Sequence, residues 1–220
     1  MKKFILRNEI PHDLFDHLEL ASVLGRYSNV QGKIQRLLAS GEIIRIKKGL
    51  YTFPAGSRHE PLNPVLAANR IYGPSYVSSD YALARYGLIP ERVEEITSVT
   101  VGRPRFFRTP IGNYSYASRL GAVYPVGVRM FASRAGNYLM ATPEKALYDK
   151  AADDPRFDGS YIENYLWEDL RIDEEEAARF SPEILAALER HARGRMKKLV
   201  RYLMEVADEH RRSAEWVNWC

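Results

Sequence analysis

The chain has 220 residues, of which 45% are hydrophobic and 27% charged, a composition typical of a globular protein that can bury a full core. Its formal net charge is +4, and no apolar run approaches the roughly 20 residues that a membrane helix requires. Since Met1-Lys2-Lys3 is followed by only three apolar residues before Arg7, no signal peptide is predicted, and a cytoplasmic protein without a membrane partner is expected.

The first fifty residues predict three helices and a hairpin. Residues 1–10 are an extended arm or the start of a helix, and Pro11 to Leu18 is predicted to be helical because Pro11 suits an early helical position. A second short helix is predicted at Leu20 to Leu24, and Gly25 to Ser28 forms the turn after it.

A third helix is predicted from Ser28 to Ala39, with Ser28 or Asn29 as its cap and Gly41 as its end. Its apolar residues recur at helical spacing and are Val30, Ile34, Leu37 and Leu38. Glu42 to Pro54 then alternates between apolar and basic residues around Lys48-Gly49, which predicts a small hairpin with a basic tip.

The outward face of the third helix is polar and basic, as the major groove of DNA requires. A hairpin directly after such a helix can reach the neighbouring backbone, so the pattern predicts a winged helix-turn-helix with Ser28 to Ala39 as recognition helix. Asn29, Gln31 and Lys33 are expected to contact bases, and the basic hairpin is expected to contact phosphate. The predicted DNA-binding residues are Arg26, Ser28, Asn29, Gln31, Lys33, Gln35, Arg36, Arg45, Lys47 and Lys48. The alternative is an ordinary small α+β domain whose charges are merely solvated.

Residues 56–63 are rich in Pro, Gly and polar residues and are predicted to link residues 1–55 to a second domain, residues 64–220. The predicted helices and strands of that domain are, in order, Pro64 to Tyr72, Tyr76-Val77, Asp80 to Tyr86, Ile96 to Val101, Phe106 to Arg108, Asn113 to Ala117, Tyr124 to Phe131, Tyr138 to Met140, Lys145 to Ala151 and a long helix from Ser181 to Val206. The predicted fold class is therefore α+β: an N-terminal winged helix-turn-helix, then a mixed antiparallel-sheet and helix domain with a helical C-terminal part.

Charge is distributed unevenly along the chain. Residues 1–60 hold ten basic and six acidic residues, and residues 61–140 hold nine and four, whereas residues 141–190 hold six and fourteen. The basic front can meet phosphate, and the acidic block suits a basic protein partner or is simply exposed surface. Arg103, Arg105 and Arg108 are interleaved with aromatic residues, which indicates either a secondary DNA-facing basic surface or an exposed strand without a ligand. The basic residues between Arg193 and Arg201 could assist DNA binding, but a solvated helix face explains them better.

An enzyme attached to the DNA-binding domain is the hypothesis from another class. Groups that could serve such chemistry are Asp80, Glu94, Glu95, Glu144, Lys145 and Asp149. Glu144, however, lies in the first turn of a predicted helix, where a carboxylate is expected for dipole reasons alone. No phosphate-binding loop or nucleophile elbow occurs, the single cysteine is Cys220, and no two histidines have metal-ligand spacing. We therefore expect no enzymatic activity, no metal and no cofactor.

Three motifs carry a resemblance to a known family. They are Gly49-Leu50-Tyr51, the SSDYAL segment from Ser78 to Leu83, and the PEKAL segment from Pro143 to Leu147. In this order they resemble the AbiEi family of antitoxins and autorepressors of type IV toxin-antitoxin systems, over roughly Leu14 to Ala151.

The resemblance implies a different partner for each of the two domains. The N-terminal domain would bind inverted repeats in double-stranded DNA of its own promoter, either as a dimer or as monomers that assemble cooperatively. The C-terminal domain would counteract an AbiEii-type nucleotidyltransferase toxin, with which it need not form a stable complex. A stand-alone regulator with a ligand-sensing or dimerising C-terminal domain remains the alternative, and a DNA-targeted nuclease is a more distant one.

Overall fold

The computed structural model describes residues 6–217, and the side chains up to residue 213. The predictions made for residues 1–5 and for Cys220 lie outside this range. The described chain is an α+β protein built on two sheets, one of three strands and one of six. Within it, no helix is both long enough and apolar enough to cross a membrane.

The smaller sheet belongs to an N-terminal unit of three helices and three strands. In chain order these are α1 (Leu6–Glu9), β1 (Leu14–Asp16), α2 (His17–Val23), α3 (Val30–Ala39), β2 (Ile44–Lys47) and β3 (Leu50–Thr52). The sheet is antiparallel, and its spatial order is β1-β3-β2. The third helix and the hairpin thus lie where the sequence predicts them.

The helix predicted from Pro11 to Leu18 is wrong, because Leu14–Asp16 is a strand paired with β3. The helix begins only at His17, where Asp16 caps it. The Asp16 carboxylate accepts hydrogen bonds from the backbone N–H groups of Leu18 and Glu19, and Glu19 accepts one from the Asp16 N–H. This reciprocal capping box fixes the helix start, so the apolar residues before it are free to form the strand.

The two faces of the small sheet contact different cores. Phe15, Tyr51 and Phe53 pack with the N-terminal helices. Leu14, Ile46 and Leu50, which alternate with them, belong to the larger core of the rest of the protein. The sheet is therefore buried on both sides and joins the N-terminal unit to the larger part of the protein.

The segment predicted to be a linker is held in place. After a 3₁₀ turn at Ala55–Ser57, the backbone N–H groups of His59 and Glu60 donate to the Asp13 carboxylate, each at 3.1 Å. Glu60 also pairs with Arg134 at 3.2 Å. These contacts fix residues 59–60 to both parts of the protein.

The six-stranded sheet is mixed and has helices on both faces. Its elements in chain order are α4 (Pro64–Ile71), β4 (Ser75–Val77), α5 (Ser79–Tyr86), β5 (Ile96–Thr100), β6 (Arg105–Thr109), β7 (Gly112–Ser118), β8 (Val128–Phe131), β9 (Tyr138–Ala141) and α6 (Pro143–Asp153). The spatial order is β6-β7-β5-β4-β9-β8, with parallel pairing between β4 and β9 and between β5 and β7. On one face the Tyr116 hydroxyl donates to Ala68 O in α4 at 2.7 Å, and on the other Tyr76 and Ser78 donate to Asp149 in α6.

The C-terminal part is helical, as predicted, but the long helix is divided. A π-helix at Asn164–Asp169 and α7 (Glu174–Ala178) precede α8 (Pro182–His191) and α9 (Gly194–Val217). The chain is extended at Ala192, and Gly194 has a positive φ of 52°, so one continuous helix is wrong. The apolar spacing continues across the break because both helices bury their leucines in the same core.

Several basic residues of α9 are engaged within the protein. Arg195 donates to the carbonyl of Phe157 and, at 2.8 Å, to that of Ala152. Lys197 and Arg201 pair with Glu189 at 3.2 and 3.0 Å. The three cations therefore have partners within the protein.

Candidate nucleic-acid interface

The apolar side of α3 anchors the helix in the N-terminal unit. Ile34 and Leu37 are fully buried against Leu20 and Leu24, and Val30 and Leu38 pack beside them. The Asn29 side-chain oxygen accepts a hydrogen bond from the Gly32 N–H at 2.7 Å, so the helix starts at Val30. At the other end Gly41 has a φ of 72°, the left-handed conformation that the sequence predicts.

The opposite side of α3 faces outward. Gln31, Gln35 and Arg36 are exposed and Lys33 is half-buried. Gln31 and Gln35 are four residues apart, so their amides share one row of the helix surface. Neither side-chain amide forms a hydrogen bond within residues 6–217. The helix therefore presents two uncommitted amides and two cations in its first two turns.

Asn29 is better suited to capping the helix than to contacting a DNA base. Its side-chain oxygen is used as the helix cap, and a paired contact to adenine needs both the oxygen and the nitrogen of an amide. A Cβ added at Gly32 would come within 2.8 Å of the Asn29 side chain, which shows how closely the cap is fitted. Ser28 precedes the cap and is exposed.

Tyr27 is a residue at this surface that sequence reasoning missed. Its ring contacts two predicted DNA-binding cations, with Lys33 Nζ at 5.4 Å and the Arg26 guanidinium at 6.0 Å from the ring centre. Arg26 also pairs with Glu9 at 3.6 Å. Cation–π contacts of this kind orient the two side chains at the start of α3. The only signal for it in the sequence is an aromatic residue in the turn before the helix.

The hairpin carries three further cations near α3. Arg45 and Lys48 are exposed, and Lys47 is half-buried, so desolvation lowers its pKa from the ordinary value. Gly49, with a φ of 83°, forms the tight turn, and its carbonyl accepts a hydrogen bond from the His17 N–H at 2.9 Å. This bond ties the hairpin tip to the first residue of α2 and fixes where Lys48 lies.

Apart from Arg26, the cations of α3 and the hairpin have no carboxylate partner within the described residues. Across the described residues, no carboxylate forms an ion pair with Lys33, Arg36, Arg45, Lys47 or Lys48. Unpaired cations that project from two adjacent elements attract phosphate groups.

The second predicted basic surface lies on the six-stranded sheet. Arg105 and Arg108 are on β6, an edge strand, and Arg103 is in the loop before it. All three are exposed. The three arginines thus lie on or next to an edge strand of the six-stranded sheet. They belong to a different part of the chain from α3 and the hairpin.

The carboxylates that an enzyme would need are divided between two places. Asp80, Glu94 and Glu95 line a cavity of 460 Å³ together with Lys150. Glu144, Lys145 and Asp149 are instead buried in the core. In the part of the chain that the structure describes, no group of three or more His, Cys, Asp or Glu side chains is placed to hold a metal ion.

The buried group is a closed polar network. Lys145 Nζ donates to Asp149 Oδ1 and to the Val123 carbonyl, both at 3.0 Å. Asp149 Oδ2 accepts from the hydroxyls of Tyr76 at 2.9 Å and Ser78 at 2.8 Å. Burial lowers the pKa of Lys145, and burial together with the Asp149 charge raises that of Tyr76. Because Lys145, Asp149, Tyr76 and Ser78 are buried and paired with one another, we expect the network to serve the fold. Glu144, also buried, accepts a hydrogen bond from the Ser181 N–H at 2.7 Å through one oxygen, and its Oε2 has no partner within the described residues.

Comparison with protein-family models and with curated proteins yields no match for this chain. The similarity to the AbiEi family consequently rests on the motifs in the sequence, and the family assignment stays a prediction.

Proposed function

We propose that the N-terminal unit is a winged helix-turn-helix that binds double-stranded DNA. The element order, helix, strand, two helices and a hairpin, together with the sheet order β1-β3-β2, supports this assignment. The observation that carries it is the outward side of α3, where Gln31, Lys33, Gln35 and Arg36 are uncommitted to any carboxylate of the described chain. In the major groove, Gln suits adenine, and Lys or Arg suits guanine.

The hairpin would set the position of the protein on the duplex. Arg45, Lys47 and Lys48, with Arg26 in the preceding turn, would contact phosphates and so contribute affinity without reading sequence. Four recognition side chains on one helix specify only a short half-site. Two copies on an inverted repeat are therefore expected, and repression would follow from occlusion of the promoter.

Substitutions in α3 and in the hairpin should have different effects on DNA binding. Gln35→Ala should weaken binding to the preferred duplex by about 1–3 kcal/mol while changing binding to an unrelated duplex little. Lys48→Ala should weaken binding to both duplexes and reduce the slope of log K against log salt by about 0.9. Mobility-shift titrations of the full chain at several salt concentrations measure both effects.

Arg190→Ala is the matched control, since Arg190 is an exposed cation on α8, far from α3 in the chain. It should leave both affinities unchanged. Equal losses from Arg190→Ala and Lys48→Ala, or no loss from Gln35→Ala, would contradict the assignment of α3 and the hairpin.

For the whole chain, we infer an antitoxin of the AbiEi type that acts against a nucleotidyltransferase toxin. The three motifs support this proposal, and so does the acidic block, because Glu174 and Glu175 on α7 are exposed and form no ion pair within the described residues. If the neighbouring gene encodes such a toxin, its expression should arrest growth and co-expression of this chain should restore it. Gln35→Ala should still restore growth when expressed from an unrelated promoter.

Two results would count against the antitoxin. The first is a neighbouring gene of another kind, and the second is growth arrest that this chain does not relieve. Either would favour a stand-alone transcriptional regulator, and neither would bear on DNA binding by α3.

A further inference from the structure

Part of the six-stranded sheet is open on the face that carries α5 and α6. The Thr97 hydroxyl donates to Ser78 O at 2.6 Å and accepts from the Tyr81 N–H, so this side chain points toward the start of α5. Paired residues of neighbouring strands project to the same side. Thr97 pairs with Ser115, and Ser115 pairs with Phe106. Phe106 therefore projects to the same face of the sheet as α5. Its strand, β6, lies two strands beyond β5, which contacts that helix.

The other face of the same strands is closed by aromatic packing. Phe107 packs on Tyr72 and Tyr116 at centroid distances of 5.9 and 5.7 Å. Phe106, its neighbour in sequence, is 52% exposed and has no such contact among the described residues. The core does not require an aromatic ring at position 106, and the ring lies open on the sheet.

Cationic and polar residues lie on the same two strands as this ring. Arg108 pairs with Asn113 in the register of β6 and β7, and both side chains are on the Phe106 face and exposed. Arg103 is exposed in the loop before β6, whereas Arg105 pairs with Tyr116 and projects to the opposite face of the sheet. None of the three arginines has a carboxylate partner within residues 6–217.

The open face continues into a cleft of 570 Å³ between β5, β7 and the helices. Its charged groups all form ion pairs, and Asp153 pairs with Arg119 at 2.9 Å. Lys150 pairs with Asp80 at 2.8 Å, and Asp154 pairs with Arg156 at 2.7 Å. Because these ion pairs leave the wall close to neutral, it neither attracts a second anion strongly nor repels a polyanion that lies on the adjacent strands.

We propose that the open face of β6 and β7 binds a single-stranded nucleic acid. A base stacks on Phe106, Arg103 and Arg108 contact phosphates, and Asn113 and Ser115 donate to base or sugar oxygens. An exposed aromatic ring flanked by unpaired cations is the arrangement that binds unpaired strands without strict sequence preference. A duplex fits this surface less well, since its bases are stacked on one another and are not free to stack on Phe106.

This site is separate from the duplex-binding surface proposed for α3. It would let the protein hold DNA and an unpaired strand, such as a transcript, at the same time. The two proposals therefore fail separately, and one set of variants can test both.

The test uses fluorescence anisotropy of the full chain with a labelled 12-nucleotide RNA and with a 12-base-pair DNA duplex. Phe106→Ala should weaken RNA binding about tenfold, which is the lower part of the range for loss of one stacked base. Arg108→Ala should lower the slope of log K against log salt by about 0.7. Tyr161→Ala, which removes an aromatic ring that is 83% exposed elsewhere, is the matched control and should have no effect.

The cross-comparison decides between the sites. Gln35→Ala should leave RNA binding unchanged, and Phe106→Ala should leave duplex binding unchanged. RNA binding that is undetectable, or that Phe106→Ala and Tyr161→Ala affect equally, would overturn the proposal. Loss of duplex binding alone in Arg108→Ala would also overturn it and would assign the arginines to DNA flanking the α3 site.

Discussion

At the scale of single residues, Asp149 carries the largest share of the buried polar contacts. It accepts hydrogen bonds from Tyr76, Ser78 and Lys145, and Arg119 Nε lies 3.4 Å from its Oδ1. Asp149→Ala leaves two cations without this anion in a region of low dielectric, and should lower the free energy of unfolding by about 3–5 kcal/mol. Urea denaturation measures the loss. Glu205→Ala removes an exposed carboxylate on α9 and should change stability by less than about 0.5 kcal/mol. A loss below about 1 kcal/mol in Asp149→Ala would show that the network does not stabilise the fold.

At the scale of elements, local signals in the sequence placed α3, α5 and α6 to within two residues, because caps, glycines and apolar spacing act over a single helical turn. The strand at Leu14–Asp16 depends on its pairing with the distant strand β3, although the capping box of Asp16 and Glu19 marks the start of the next helix locally. The division after Ala192 likewise coincides with Gly194, whose φ is positive. The same holds for the site. The exposure of Gln31 and Gln35 follows from periodicity, whereas the network at Asp149 joins residues up to 73 positions apart. The open position of Phe106 became visible only through the register of three strands.

At the scale of the whole molecule, the N-terminal unit is fixed to the larger part rather than tethered to it. Leu14, Ile46 and Leu50 of the small sheet belong to the larger core, and Asp13 holds the backbone of residues 59–60. Two ion pairs, from Arg70 to Asp16 and to Glu19, add contacts at 3.8 and 3.5 Å. A second copy on an inverted repeat would therefore bring its whole chain in a set orientation, and the spacing of the half-sites would reflect the size of the complete molecule.

The most direct test of DNA binding by this protein is a mobility-shift titration of the full chain on the DNA upstream of its own gene. A duplex of the same length and composition but shuffled sequence is run beside it, at two salt concentrations. Preferential binding to the upstream duplex, weaker at the higher salt and reduced by Lys33→Ala and Lys47→Ala, is expected of a winged helix-turn-helix repressor. Equal and weak binding to both duplexes would contradict it, and would mean that α3 and the hairpin form a structural or protein-contacting unit.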